Sequence, residues 1–277
     1  MPSFKKKDNI TIKIVENKNT IKLMAEFCIP EDLRSKKIFF ESIEVKKKYL
    51  QERIDVFGFA GFLAFYKDCI AGMLQIRPVP RYKIFKIECI FVSKDYLRLG
   101  IGNKLLLEFL NYTNKDFTFF NNQKPEAVIC NAFHVPDQYS QSEFFKKYNF
   151  QPLEENSEQH LVKFLDNDNF FQFNNTPIEE PHNKNNIIIT PDPLCPFHKD
   201  FVERALKHIE ELKIDLSIII NLPVSNVLNN QIIDEPFCIV RSIPVKAFCT
   251  QKNAFKKEIE EICLEKCTNE DKIVKNL

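Results

Sequence analysis

At 277 residues with 44% hydrophobic side chains, the chain is long enough for one large domain or two modest ones with proper cores. Its 39 basic and 38 acidic residues leave a net charge of +1, so charge gives no reason to expect nucleic acid or an anionic membrane as partner. The longest apolar run, Val56 to Phe65, is too short for a bilayer. Lys5, Lys6 and Lys7 have no apolar segment behind them, and nine cysteines without a secretion signal imply free thiols. The expectation is a soluble, cytoplasmic protein.

Ile10 to Val15 alternates apolar and polar residues and predicts a strand. From Glu31 to about Ile54, Ile38, Phe39, Ile43, Val45 and Leu50 fall at helical spacing. "GFAGFLAFYKD" and "CIAGMLQIRPVP" predict two strands turned by Lys67 and Asp68. Tyr82 to Val92 is a further strand, followed by a helix from Gly102 to about Tyr112 with Leu105, Leu106, Phe109 and Leu110 on its apolar face. Glu126 to Phe133 predicts a strand, and Gln141 to Phe150 a helix that leads into another strand. Asp166 to Asn186 is rich in Asn, Asp and Pro and reads as a linker. Beyond it lie a strand at Ile187 to Thr190, a helix at Phe201 to Leu212 and a strand at Leu216 to Leu222. A hairpin of "FCIV" and "VKAFC" turned by "RSIP" follows, then a helix from Asn253 to Cys267. The division is residues 1–165, a linker at 166–185, and 186–277.

The chain has five glycines, and two of them, Gly100 and Gly102, stand where a strand turns into a helix. Unpaired amides and the macrodipole make a helix N-terminus an anion cradle, and glycine lets a phosphate approach the backbone. A P-loop would require Lys-Ser/Thr directly after the second glycine, where Asn103 and Lys104 stand. A dinucleotide fingerprint would require a small residue at Leu105. The alternative without a ligand is a simple strand-to-helix turn.

The stretch "IECIFVSKDYLRLGIGNKLL" resembles the core motif of the GNAT acetyltransferase superfamily, with Val92 eight residues before Gly100 and Tyr96 in the usual aromatic place. The resemblance implies a mixed central sheet flanked by helices (α/β, in the α+β sense) and acetyl-CoA as co-substrate. It also implies a small-molecule or peptide amine as acceptor. In that family, strand backbone groups hold the pantetheine arm and loop amides hold the pyrophosphate. By position these are Ile90, Phe91 and Val92, then Arg98, Leu99, Gly100, Ile101, Gly102 and Asn103, with Asn131 as a further cofactor-binding candidate. The customary Arg or Gln three residues before the first glycine is Leu97, and Arg98 is the nearest cation.

Transfer to an amine needs a base for the ammonium proton and often an acid for the leaving thiolate. Glu88, on the strand that would face the thioester, is either that base, its pKa raised toward neutrality by burial, or the partner of a basic neighbour on an adjacent strand. The family's acidic tyrosine position is Phe145 in "FFKKYNF", with Asn149 at the helix-capping place; Tyr148 is the residue assigned instead, with Tyr139, His134 or water as alternatives.

After the linker, Cys195 follows a strand and opens a helix, the position of a thioredoxin-like nucleophilic cysteine. His198 stands where a second cysteine would complete a CxxC pair, and Pro236, before a later strand, takes the place of the cis-proline of such folds. The "CPF" and "PF" pieces resemble the YoaP-type module found fused to GNAT domains. Cys195, His198 and Pro236 therefore form a candidate thiol site in a smaller thioredoxin-like α/β domain. Cys263 and Cys267 share a helix face, as packed thiols or, with His198 or Cys249, as metal ligands; the first reading is carried forward and no metal is assigned. The function expected is direct transfer of acetyl from acetyl-CoA to an amine. The alternatives are a non-catalytic acyl-CoA sensor and a thiol-handling protein centred on Cys195.

Overall fold

The computed structural model describes residues 9–132, 140–154, 159–166, 185–221, 232 and 236–274, with side chains as far as 264. His134, Tyr139 and the side chain of Cys267 lie outside these. The chain divides into two compact units. The first comprises residues 1–28, 47–175 and 226–233; the second comprises residues 29–46, 176–225 and 234–277. Residues 29–46 thus group with the C-terminal part of the chain, an assignment that a division at a single linker does not contain.

The first unit is built on a seven-stranded sheet. Its strands are β1 (Ile10–Ile14), β2 (Gly61–Tyr66), β3 (Cys69–Val79), β4 (Ile84–Val92), β5 (Ala127–Asn131), β6 (Gln151–Pro152) and β7 (His160–Phe164). They lie in the order β1-β2-β3-β4-β5-β7-β6, and only β4 and β5 run parallel. Lys67 and Asp68 turn the β2–β3 hairpin with φ of 49° and 66°, the left-handed pair that matches the twist of a two-residue turn. Helix α1 (Lys18–Glu26), which the sequence reading did not separate, is nucleated by a capping box of Asn17 and Thr20. Helix α2 (Lys37–Phe57) takes in the predicted periodic stretch from Ile38 onward, its first residues, Glu31–Leu33, forming a separate 3-10 turn, and ends at Gly58.

Helix α3 (Ile101–Tyr112) buries Ile101, Leu105, Leu106 and Phe109 against the sheet, joining Phe62, Leu74, Ile76, Phe85 and Ile87 in one core. Each such side chain contributes about 2 kcal/mol when removed from water. Gly72 on β3 makes the close approach possible: a Cβ there would stand 2.8 Å from Ile101 Cγ2. Helix α4 (Gln141–Lys146) is capped by the Ser140 hydroxyl and places Phe145 in the same core.

The second unit carries a four-stranded sheet of β8 (Asn186–Ile189), β9 (Ser217–Ile220), β10 (Cys238–Val240) and β11 (Ile243–Pro244), in the order β11-β10-β8-β9. β8 is parallel to β9 and antiparallel to β10. Helices α5 (His198–Glu210) and α6 (Lys252–Val274) supply Ala205, Ile209, Phe255 and Ile259 to a core shared with Ile187, Ile189 and Val240. The predicted hairpin is displaced: Arg241 and Ser242, at φ of 50° and 69°, make the turn, and the returning strand is Ile243–Pro244 rather than "VKAFC". The left-handed pair fixes a two-residue loop and so moves the register forward.

Candidate active site

Strands β4 and β5 pair only from Ile84↔Ala127 to Ile87↔Cys130. Beyond that point β4 continues to Val92 on β3, and among the described residues no strand pairs the β5-facing backbone edge of residues 88–92. The parting coincides with a bulge. The β3–β4 register passes from Ile76↔Ile87 to Gln75↔Cys89, leaving Glu88 as the extra residue.

A cleft lies at the parting, lined by Ile87, Glu88, Cys89, Ile90, Asn131, Gln141 and Phe145. Ile87, Ile90 and Phe145 belong to the α3 side of the sheet. Glu88 instead meets Arg53 of α2. The opening is therefore bounded by residues that face both sides of the sheet.

At the far end of β4, the chain passes Arg98, left-handed at φ 63°, and Gly100, left-handed at φ 83°, before entering α3. Gly100 is the helix N-cap and provides no side-chain cap. The first helical bond is Lys104 N–H to the Gly100 carbonyl at 3.0 Å, which leaves the amides of Ile101, Gly102 and Asn103 without an intrahelical acceptor. A Cβ at Gly100 would meet no described atom within 4 Å. The nearest atoms to a Cβ at Gly102 would be the Phe144 ring, at 3.7 Å, and Val92, at 3.8 Å. Leu97, in the place of the customary cation, is 55% exposed, and Arg98 is exposed beside it. Lys104 is not available to an anion there, because its ammonium bonds the Ile10 carbonyl.

Glu88 departs from the expectation of a carboxyl raised toward neutrality. Burial alone would raise it, but the attraction of Arg53, then of Arg77, with the Arg53 hydrogen bond and buried Lys86, holds the pKa at about 2. Arg53 Nη2 and Arg77 Nε each donate to Oε1 at 2.9 Å, and Arg53 Nη1 donates to Oε2. Both oxygens are occupied, so Glu88 is a fixed anion and a poor proton acceptor. The sequence reading foresaw a basic partner on an adjacent strand, which is Arg77; Arg53 it missed. The available signal was an arginine within each apolar pattern, Arg53 three residues after Leu50 on α2 and Arg77 inside "MLQIRPV".

Tyr148 is half-buried just after α4, and burial raises its phenol pKa, so it is protonated at neutral pH. Its ring packs on Phe144, 5.6 Å between centroids, and it is not among the residues lining the cleft. Phe145, at the family's tyrosine position, is a core residue at 1% exposure. Asn149 holds the left-handed cap conformation at φ 63°, as its residue type allows. Asn131 does border the opening, and Gln141 and Cys89, which the sequence reading did not single out, border it too.

In the second unit, Cys195 is partly exposed in the turn before α5. Its carbonyl accepts the His198 N–H at 3.0 Å and lies 2.9 Å from His198 Nδ1. A carbonyl only accepts, so Nδ1 carries the proton; burial lowers the pKa of this ring and keeps it neutral. Thr190 N–H bonds the Phe237 carbonyl at 2.9 Å, so the segments of Cys195 and Pro236 leave the same end of the sheet. The peptide bond before Pro236 involves Glu235, outside the described residues. Among the described residues no cluster of three metal-ligating side chains occurs, and no helix is long and apolar enough to cross a membrane.

Residues 28–121 match the Acetyltransferase (GNAT) family. The mixed sheet flanked by helices in the first unit is GNAT-like. No curated protein matches the chain significantly. Similar solved structures include Naa50 of Arabidopsis thaliana in complex with a bisubstrate analogue, CoA-Ac-MVNAL, at 17% identity over 56% of this chain and 96% of that one, with a TM-score of 0.38. Ard1 from Thermoplasma volcanium is 14% identical over 57% and 98%, TM-score 0.38. N-acetylglutamate synthase from Neisseria gonorrhoeae, complexed with coenzyme A and L-arginine, is 15% identical over 56% and 33%, TM-score 0.38.

Proposed function

We propose that the chain is an N-acetyltransferase that takes acetyl-CoA as co-substrate and a small-molecule or peptide amine as acceptor. The observation that carries this reading is the N-terminus of α3, capped by Gly100 without a side-chain hydrogen bond, on the segment that follows β4, whose β5-facing edge at residues 88–92 pairs with no described strand. The amides of Ile101, Gly102 and Asn103 suit a diphosphate. The edge of Ile90 to Val92, unpaired by any described strand, suits the amides of the pantetheine arm, and Asn131 borders the same opening. Leu97 leaves this cradle without its customary cation, so backbone amides carry the recognition, with Arg98 beside them.

Acetyl-CoA, when bound, supplies an activated thioester. The chain's part is to hold its carbonyl at the parting of β4 and β5 and to admit the amine from the α2 side, which is largely a matter of positioning. The new C–N bond forms as the C–S bond breaks. The amine's proton leaves to water, because Glu88 is committed to Arg53 and Arg77, and the thiolate takes a proton from Tyr148 or from water. Glu88 is thus a positioning residue, fixing the bulge that opens the strand.

The second unit supports a thioredoxin-like reading through its strand order, parallel β8 and β9 followed by two antiparallel strands, with Cys195 ahead of the first helix. A thiol-handling role for this unit rests on Cys195 in the turn before α5, partly exposed. Calorimetric titration with acetyl-CoA, then mass-spectrometric search for acetylated products, tests the main reading. Tight binding without turnover of any amine would make the protein an acyl-CoA sensor instead, and no binding would remove both readings.

A further inference from the structure

The leaving group of an acetyl transfer from CoA is a thiolate, and the charge that gathers on its sulfur is stabilised by a hydrogen-bond donor fixed beside it. Of the described residues that line the opening, Ile87, Ile90 and Phe145 are apolar, Glu88 is an anion held by two arginines, and Cys89 offers only a weak thiol donor. Among them, side-chain N–H groups belong to Asn131 and Gln141. The two stand on different sides of the sheet. Cys130 is buried in the core that α3 shares with the sheet, so its neighbour on β5, Asn131, projects to the α2 side. Gln141 precedes Phe145 by four residues on α4, which puts both on one face of that helix, and Phe145 belongs to the core on the α3 side. Gln141 is half-buried and borders the opening itself, so a group seated there can reach it.

We propose that Gln141 donates a side-chain N–H to the thioester sulfur as it becomes a thiolate, which makes Gln141 a catalytic residue; the inference rests on the acetyltransferase reading. With the diphosphate on the N-terminus of α3, the CoA arm reaches the opening from the α3 side, and sulfur is the atom that joins the arm to the acetyl group. The amine attacks from the α2 side. As the C–N bond forms, the electron pair of the C–S bond passes to sulfur, on the side where Gln141 stands. A carboxamide stabilises that charge without giving up a proton. The amine's proton leaves to water, and the proton that completes the CoA thiol comes from Tyr148 or from water.

The test uses the full chain with Gln141→Leu, which has no donor, and Gln141→Glu, which keeps the shape and has no donor while ionised. Acetyl-CoA is supplied with spermidine, lysine, an aminoglycoside and a short peptide with a free N-terminus, and an amine that the wild type acetylates is taken for the kinetics. The rate at saturating substrates is expected to fall about ten-fold or more in Gln141→Leu at pH 7. Gln141→Glu should fall further, because a carboxylate repels the thiolate. Its rate relative to wild type should recover as pH drops toward the ordinary glutamate pKa of about 4.3, where its O–H becomes a donor. The acetyl-CoA dissociation constant and the melting temperature of Gln141→Leu should match the wild type. An unchanged rate in Gln141→Leu overturns the inference and leaves the acetyltransferase reading standing. A Gln141→Glu loss that ignores pH, or a rate loss matched by weaker acetyl-CoA binding or a lower melting temperature, makes Gln141 a structural residue and overturns it as well. A wild type that acetylates none of the amines overturns the acetyltransferase reading and the inference with it.

Discussion

Replacing Glu88 by glutamine keeps the shape of the side chain and removes the charge that Arg53 and Arg77 hold. The lowering of its pKa from the ordinary 4.5 to about 2 corresponds to about 3 kcal/mol of stability in favour of the ionised, folded state. With a side chain only 12% exposed, solvent screening takes little from that figure. Breaking such a buried pair from one side costs about 3–5 kcal/mol in other proteins, so two independent routes agree. Because the folded pKa is depressed, the contribution is complete above the ordinary carboxylate pKa and disappears as pH falls through the folded one. Roughly 40% of it remains at pH 3. Urea unfolding of wild type and Glu88→Gln, with hydrogen exchange of the β3 and β4 amides, measures the difference. The variant should lose about 3 kcal/mol at pH 7, and the gap should shrink toward pH 3. A variant within 1 kcal/mol of wild type at pH 7, or a gap that ignores pH, would refute the argument.

With Glu88 held at about 2, the pH dependence of acetylation should follow the acceptor. Two amines of different basicity should give kcat/KM limbs that move with the amine; a limb fixed near pH 6–7 for both would reveal an enzyme base and restore that role to a side chain. Gly102→Ala separates cradle from fold. The nearest neighbours of the added methyl, Phe144 and Val92, stand at ordinary contact distances, so melting should show a gain of about 0.5–1 kcal/mol from the helix. Calorimetry should show acetyl-CoA binding weakened about ten-fold or more, since the methyl enters the approach to the amides. Affinity left intact would place the diphosphate elsewhere.

Much of the architecture is written in local pattern. The Lys67–Asp68 turn, the apolar face of α3 and the glycine pair depend on neighbours within a few residues, and each appears where its period and residue types put it. Helix α1 escaped because its signal is the Asn17–Thr20 cap rather than a long apolar stripe, and the β10–β11 turn slipped because two consecutive left-handed residues, neither of them glycine, mark it. Glu88 is where local reading fails. Whether a carboxyl on a half-buried strand is a base or a fixed anion depends on what stands beside it. The two deciding guanidiniums come from positions 35 and 11 residues earlier, on α2 and β3. The same holds for Gln75, an ordinary strand residue until the register sets it opposite Cys89, its buried carbonyl bonded by no donor among the described residues. Backbone periodicity and turn chemistry act along the chain and were legible in it; charge pairing and desolvation act through space, and only the packed sheet and helices decided them.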